Sequence, residues 1–278
     1  MQSLVGTEWL AQQLGAPDLV LFDASWYMPG DQRNAQALYR ATHLPGARFF
    51  DIDRIADTES TLPHMAPTAA RFEHLVAALG VNEDSRVVFY DQLGIFSAAR
   101  GWWLMRLFGH QSVAVLDGGL PKWQREGREV IAGDASPPPP GSFRAALNAR
   151  YLRGLGDVRA NLSQPRELVL DARSADRFFA RVPEPRAGMR GGHIPGSRNL
   201  PYAELLSNGE TMLAPELLRQ RFAAAGVETG SAVVTSCGSG LTAAVLTLGL
   251  EVAGLPSGAL YDGSWSEWGA RPDTPIER

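Results

Sequence analysis

Residues 232–246 read AVVTSCGSGLTAAVL: an apolar run, a short glycine-rich loop and a second apolar run. The first run is typical of a buried strand and the second of a helix. Cys237, the single cysteine of the chain, stands where the strand meets the loop. Gly238 and Gly240 let the backbone curl so that N–H groups point at the sulfur, and the following helix offers the positive end of its dipole. The stretch therefore predicts an α/β unit with a cysteine nucleophile, favoured as thiolate, at a strand end.

The landmarks around this stretch occur twice, at a spacing of about 145–150 positions, which indicates a duplicated chain. The paired landmarks are the apolar runs 19–25 and 168–174, the turns that begin at His43 and His193, the runs 87–91 and 233–237, and the motifs that begin at Asp117 and Asp262. Between them lie segments of helical period, such as residues 98–108 and 217–224. Short apolar strands that alternate with helices predict a mainly parallel sheet with helices on both faces. We expect an α/β protein of two tandem domains.

The boundary between these domains is predicted at a proline run. Residues 137–141 read PPPPG, a sequence that cannot donate most backbone hydrogen bonds and favours stiff polyproline geometry. We therefore place a first domain at residues 1–136, a Pro-rich linker at 137–150 and a second domain at 151–278.

Composition narrows the classes of function. The chain has 278 residues, of which 45% are hydrophobic and 20% charged, and a formal net charge of −4. The sequence has no stripe of Lys and Arg residues of the kind that binds nucleic acid. No apolar stretch reaches the ~18 residues of a membrane span. The N-terminus does not have the pattern of a signal peptide, and one cysteine cannot form an internal disulfide. We expect a cytoplasmic protein without nucleic-acid or membrane partners.

The duplication tests each candidate residue, because a residue that builds the fold should recur in both copies. Asp91 stands opposite Cys237, while Gly94 stands opposite Gly240, so only one copy carries sulfur. A lone cysteine is often a small buried hydrophobe. Its position at the carboxyl end of a strand, where open α/β sheets bind ligands, favours a catalytic cysteine.

Histidines and arginines are sorted in the same way. His43 and His193 occur in both copies and are expected to fix a turn. His64 and Asp53 occur only in the first half, where they are either solvated loop residues or an acid/base pair directed at Ser239. Two arginines of the second half, Arg177 and Arg186, are either solvated or a clamp for a carboxylate.

Six further motifs carry a resemblance to a known family. They are residues 23–27 (DASWY), 49–53 (FFDID), 116–119 (LDGG), 183–186 (PEPR), 192–196 (GHIPG) and 261–265 (YDGSW). Over nearly its whole length the chain resembles the tandem-domain rhodanese-type sulfurtransferases, most closely those that use 3-mercaptopyruvate. The loop CGSGLT at 237–242 discriminates best, because thiosulfate-using rhodaneses typically carry cationic side chains directly after the cysteine, where this chain has Gly238 and Ser239.

The resemblance implies a role for each site residue. Cys237 carries sulfur as a persulfide; Ser239, His64 and Asp53 form a relay; the substrate is bound by Arg177, Arg186, Gly238, Gly240, Leu241 and Thr242. Sulfur would pass from 3-mercaptopyruvate to a thiol such as thioredoxin, or to cyanide, with release of pyruvate. The first domain would be catalytically silent, and no metal or organic cofactor is expected.

Three alternatives remain at this point. A thiosulfate:cyanide sulfurtransferase would use the same chemistry with another donor. A cysteine phosphatase of the Cys-x5-Arg type would need an arginine where this chain has Ala243. A non-catalytic sulfur carrier or binding module would pass sulfur to a protein partner without releasing pyruvate.

Overall fold

The computed structural model describes residues 1–278. Internal contacts divide the chain into two compact units. Unit 1 comprises residues 1–58, 66–148 and 208–212, and unit 2 comprises residues 59–65, 149–207 and 213–278. Each unit contains its own five-stranded parallel sheet, so the predicted pair of α/β domains is confirmed.

Unit 1 alternates strands and helices along most of its length. Its elements are β1 Leu4–Val5, α1 Thr7–Gln13, β2 Leu19–Asp23, α2 Ala35–Ala41, β3 Arg48–Phe49, α3 Ile52–Ile55, α4 Ala69–Ala78, β4 Arg86–Tyr90, α5 Ala98–Leu107, β5 Val113–Leu116 and α6 Gly119–Arg125. The strand order is β1-β5-β4-β2-β3, with every pair parallel. The two central strands, β4 and β2, therefore end at the same edge of the sheet.

Both faces of this sheet are covered, because successive side chains of a strand point to opposite faces. On one face, Leu21 and Val88 pack with Leu10 of α1 and Trp123 of α6. On the other face, α5 approaches so closely that a Cβ on its Gly101 would collide with the ring of Phe89. The predicted helices on both faces are present in unit 1.

Unit 2 repeats the arrangement. Its elements are β6 Leu152–Arg153, α7 Leu155–Ser163, β7 Leu168–Asp171, α8 Ala175–Phe178, β8 Arg198–Asn199, β9 Leu206–Ser207, α9 Pro215–Ala224, β11 Val233–Ser236, α10 Leu241–Val252, β12 Ala259–Tyr261 and α11 Ser264–Trp268, while β10, Thr211–Met212, belongs to unit 1. Short 3-10 turns cover Ala149–Tyr151 and Tyr202–Leu205. The parallel order β6-β12-β11-β7-β8 matches that of unit 1.

The duplicated histidines have equivalent contacts in the two units. The Nδ1 atoms of His43 and His193 lie 2.9 and 3.0 Å from the carbonyl oxygens of Tyr39 and Phe178. Each imidazole also stacks on the ring of that same residue, and each histidine forms an isolated β-bridge with a residue near the end of its repeat. These contacts agree with the predicted turn-fixing role.

The proline run differs from a free linker. Unit 1 extends to residue 148, because the chain after the prolines forms hydrogen bonds with it. Gly141 N–H donates to Ala77 O at 2.8 Å, and Phe143 N–H donates to Val81 O at 3.0 Å. The ring of Phe143 is buried, which holds residues 137–148 against unit 1.

No helix of the structure combines the length and apolar character needed to cross a lipid bilayer.

Asp91 fills the strand-end loop of unit 1 with its own carboxylate. Oδ1 accepts the N–H of Leu93, and Oδ2 accepts the N–H groups of Phe96, Ser97 and Ala98, at 2.8–2.9 Å. Burial raises the pKa of the Asp91 carboxyl, and these four donors act against that rise. The N–H groups at this edge are thus satisfied from within the chain.

We expect Asp91→Ala to destabilise unit 1 by about 2–4 kcal/mol, since it leaves several buried N–H groups without an acceptor. Asp91→Asn, which keeps one carbonyl oxygen, should lose less. Urea unfolding followed by circular dichroism measures both variants. Wild-type stability in Asp91→Ala would show that the carboxylate does not hold the loop.

Candidate active site

Cys237 lies directly after β11, at the carboxyl end of the central strand of unit 2, and is 2% exposed. The loop turns at Gly240, whose φ of 80° lies in the left-handed region that glycine adopts without strain. The N–H of Gly240 donates to Cys237 Sγ at 3.1 Å, and α10 begins at the next residue. Backbone N–H and helix dipole both favour negative charge on this sulfur.

A second loop holds the backbone of the cysteine loop. Ser264 Oγ accepts the N–H of Cys237 at 3.2 Å and donates to the carbonyl of Tyr261 at 2.8 Å. The N–H of Trp265 donates to Cys237 O, and both the N–H and the hydroxyl of Ser266 donate to Gly238 O. The position of the sulfur is therefore fixed by backbone contacts on both sides.

Ser264 adopts a strained backbone conformation, with φ of 48°. Its counterpart in unit 1 is Gly119, with φ of 50°, so the copy with the cysteine has a serine where the other copy has glycine. A non-glycine residue in this region costs about 1–3 kcal/mol. Glycine would avoid this strain but could not supply the hydroxyl that accepts the N–H of Cys237.

His64 lies beside the cysteine loop. Residues 59–65 belong to unit 2, and His64 Nδ1 lies 3.0 Å from Ser239 Oγ and 3.3 Å from Ser239 O. Both residues are buried, at 6% exposure each, and His64 itself has a positive φ of 62°. The structure therefore brings two members of the predicted relay within hydrogen-bond distance.

Asp53, the third member of that predicted relay, lies in unit 1. It is the second residue of α3, and its Oδ2 accepts the indole N–H of Trp26 at 3.1 Å. The backbone N–H of Trp26 in turn donates to Ser97 Oγ, which places the Trp26 backbone at the edge of the Asp91 loop. The relay role of Asp53 stays a prediction.

Arg177, on α8, reaches the cysteine loop. A Cβ on Gly238 would lie 3.0 Å from Arg177 Nη2, a contact closer than a real side chain accepts without displacement of its neighbour. Arg177 Nη2 also donates to Glu184 Oε2 at 2.5 Å, and the pair is mostly buried. Glycine at position 238 therefore allows a guanidinium to lie against the loop.

Arg186 lines an open cavity of about 680 Å³ together with Glu184, Met189 and neighbouring residues of the segment 179–191. Leu241 and Thr242 form the first turn of α10, where Leu241 is 3% exposed and Thr242 is half-buried. The other predicted substrate-binding residues lie in the cysteine loop or the first turn of α10, apart from Arg177, which lies against the loop from α8.

Three residues of this site were not singled out in the sequence: Ser264, Arg173 and Glu184. The duplication carried a signal for the first two, because Gly119 and Ser25 occupy the equivalent positions in the first half. Glu184 stands in an inserted segment with no counterpart, so its contacts with two arginines appear only in the folded chain.

Fold and site together define a tandem pair of rhodanese-like domains with one cysteine loop. The sequence family of the rhodanese-like domain matches this chain twice, at residues 6–126 and 155–271. The chain belongs to the rhodanese family.

Individual relatives narrow the group to sulfurtransferases. An Arabidopsis thaliana protein, thiosulfate/3-mercaptopyruvate sulfurtransferase 1, mitochondrial, is 41% identical over 99% of this chain and 78% of its own length. The 3-mercaptopyruvate sulfurtransferase of Escherichia coli K12 is 43% identical over 98% of this chain and 97% of its own. The crystal structure of SseA from Escherichia coli, described among 3-mercaptopyruvate sulfotransferases, has a TM-score of 0.86 at 40% identity, covering 96% of this chain and all of SseA. The prediction of a tandem-domain sulfurtransferase is confirmed.

We expect Ser264→Ala to be destabilised by about 1–3 kcal/mol, because the buried N–H of Cys237 loses its acceptor while the backbone strain stays. Ser264→Gly loses the same hydrogen bond but relieves the strain, so it should be more stable than Ser264→Ala and equally impaired in turnover. Thermal unfolding and steady-state kinetics measure the two effects. Equal stability of the two variants would contradict the strain argument.

Proposed function

We propose that this chain moves sulfur from 3-mercaptopyruvate to an acceptor through a persulfide on Cys237, with release of pyruvate. The observation that carries the proposal is the loop around the sulfur, where Gly240 N–H contacts Sγ and the next two side chains are uncharged. Arg177 supplies a cation beside this loop. A singly charged carboxylate donor suits that arrangement.

The first half of the reaction is a nucleophilic substitution at the sulfur of the donor. The Cys237 thiolate attacks the sulfur of 3-mercaptopyruvate; the new S–S bond forms as the C–S bond breaks, and its electron pair stays on carbon as the enolate of pyruvate. The proton of the substrate thiol is transferred to that carbon. The products are pyruvate and the Cys237 persulfide, without a redox partner.

Ser239 and His64 are the groups that we assign to this proton transfer. With Nδ1 unprotonated, His64 accepts the Ser239 hydroxyl proton across 3.0 Å, and the serine oxygen can then take the proton of the donor thiol. Asp53 is proposed as the carboxylate that stabilises the charged imidazole. This assignment rests on the short contact between His64 and Ser239 and on the resemblance of the motifs.

Arg177 and Arg186 are proposed to bind the carboxylate and ketone of the donor. Glu184 occupies Nε and Nη2 of Arg177, and Nη1 is not used in that pair. Gly238 and Gly240 shape the loop, while Leu241 and Thr242 present the first turn of α10 to the donor. Charge-assisted hydrogen bonds of this kind contribute about 1.5–3 kcal/mol each.

The second half of the reaction transfers the outer sulfur to a thiol, such as that of reduced thioredoxin, or to cyanide. Attack on the outer sulfur breaks the S–S bond and returns the Cys237 thiolate. A chain whose one cysteine must return to the thiolate suits a reducing compartment, and on this ground we infer a cytoplasmic location. We infer no nucleic-acid or membrane partner.

Thiosulfate is the second candidate donor. The name of the Arabidopsis relative includes both thiosulfate and 3-mercaptopyruvate. Thiosulfate carries two negative charges, and a loop with Gly238 and Ser239 after the cysteine offers no added cation for the second one. The ratio of kcat/KM for the two donors separates the candidates.

The persulfide is tested directly. After incubation with 3-mercaptopyruvate, mass spectrometry should find the Cys237 peptide heavier by one sulfur atom, and pyruvate should form in equal amount. Cys237→Ser should form neither, because its hydroxyl cannot carry the sulfur. Pyruvate released by an enzyme whose Cys237 stays unmodified would contradict the mechanism.

The carboxylate clamp is tested with both donors. Arg177→Ala and Arg186→Ala should each lower kcat/KM for 3-mercaptopyruvate by about 10–100-fold, since a charge-assisted contact is lost, and should affect thiosulfate less. Arg166→Ala, at an exposed arginine elsewhere in unit 2, is the matched control. Equal losses for both donors would argue against a clamp for the carboxylate.

A further inference from the structure

Arg173 distinguishes the two copies of the fold as sharply as Cys237 does. Each central aspartate, Asp23 and Asp171, ends its strand and is followed two positions later by Ser25 in unit 1 and by Arg173 in unit 2. In unit 1 the Asp23 carboxylate accepts the N–H of Ser25 and the side-chain amide of Gln92. At this position, only the unit that carries the cysteine has a buried arginine.

The Arg173 side chain has no exposed surface, and all three of its guanidinium nitrogens donate hydrogen bonds. Its Nε and Nη2 donate to Asp171, with Nη2 at 2.6 Å from Oδ2, and Nη2 also donates to Gly192 O at 2.8 Å. Its guanidinium lies 4.3 Å from the ring centre of Trp265, whose backbone N–H donates to Cys237 O. Burial works against the charged form, but Asp171 and Glu184 raise the pKa of Arg173, so it stays cationic.

Glu184 connects this buried arginine to the cysteine loop. Its Oε1 accepts Arg173 Nη1 at 2.7 Å, and its Oε2 accepts Arg177 Nη2 at 2.5 Å. Only 4% of the Glu184 side chain is exposed. Alternating charges therefore run from Asp171 through Arg173 and Glu184 to the guanidinium that lies against Gly238.

We propose that Glu184, held by Arg173, is a positioning residue that fixes Arg177 beside the cysteine loop before the donor binds. The inference rests on the proposed function, in which Arg177 binds an anionic donor. Arg177 stands on a helix of four residues and has many rotamers, so an unsupported guanidinium would have to be ordered at each binding event. Glu184 orders it in advance and leaves Nη1 outside the pair.

A merely structural role is the competing explanation, because the same ion pairs also tie the segment 179–191 to β7. The two roles differ in their dependence on Arg177. A positioning residue has an effect only while Arg177 is present, whereas a structural residue lowers activity in either background.

The test is a double-mutant cycle in the full chain with Glu184→Gln, Arg177→Ala and the double variant. We expect Glu184→Gln to raise KM for 3-mercaptopyruvate about tenfold with a smaller change in kcat, and to add less than about twofold in the Arg177→Ala background. Equal factors in both backgrounds, or an unchanged KM, would overturn the proposal.

Two further variants complete the cycle. Glu184→Asp keeps the charge but is one methylene shorter and cannot span both arginines, so it should raise KM in the same direction even if Glu184→Gln folds poorly. Glu167→Gln is the matched control, because Glu167 pairs with Arg153 at 2.7 Å in the same unit and should leave KM unchanged. A rise in KM for Glu167→Gln as large as that for Glu184→Gln would also overturn the proposal.

The second half-reaction separates positioning from general damage. Cys237 is loaded with sulfur by inorganic polysulfide, whose terminal sulfur is attacked by the thiolate as a shorter polysulfide leaves, and cyanide then removes the outer sulfur. This rate should be unchanged in Glu184→Gln, since no donor carboxylate takes part; a rate that falls with KM would contradict positioning. A wild-type chain that fails with 3-mercaptopyruvate refutes the proposed function alone, and the cycle is then measured with thiosulfate, where the same dependence on Arg177 is required.

Discussion

The backbone N–H groups at the carboxyl end of each central strand are the constraint on which the site depends. They lie in buried loops, where water does not satisfy them, so the chain itself must supply an acceptor. Unit 1 supplies the Asp91 carboxylate, which accepts four N–H groups. Unit 2 places Cys237 there instead, with Gly240 N–H on its sulfur. The same fold therefore holds a carboxylate in the strand-end loop of one copy and a thiol in that of the other.

The two strand-end loops share one supporting backbone contact and differ in the side chains around it. Both loops are held by an equivalent backbone contact, Leu120 N–H to Asp91 O in unit 1 and Trp265 N–H to Cys237 O in unit 2. Unit 2 adds the hydroxyl groups of Ser264 and Ser266, which bond to the backbone of Cys237 and Gly238. The strained backbone of Ser264 and the buried charge of Arg173 are both unfavourable in isolation, and the equivalent positions of unit 1 hold Gly119 and Ser25. These two differences in residue type accompany the change from Asp91 to Cys237.

Much of the fold was predictable because its signals are local. The apolar runs that became β2, β4, β7 and β11 are short and uninterrupted, and the helical segments at 98–108 and 217–224 became α5 and α9. The attachment of residues 137–148 to unit 1 was not predicted, since it depends on hydrogen bonds to residues distant in sequence, such as Ala77 and Val81. The same limit applies to residues 59–65, which belong to unit 2.

The duplication, the α/β fold and the choice of Cys237 as the candidate nucleophile follow from the sequence alone, because repeated motifs and a single cysteine are visible in it directly. The tertiary structure decided which polar side chains contact that sulfur's loop. Ser264 and Glu184 gain their roles from a left-handed backbone and from two arginines at different positions of the chain. Contacts of this kind are set by the packing of distant segments, and no local pattern of residue types encodes them.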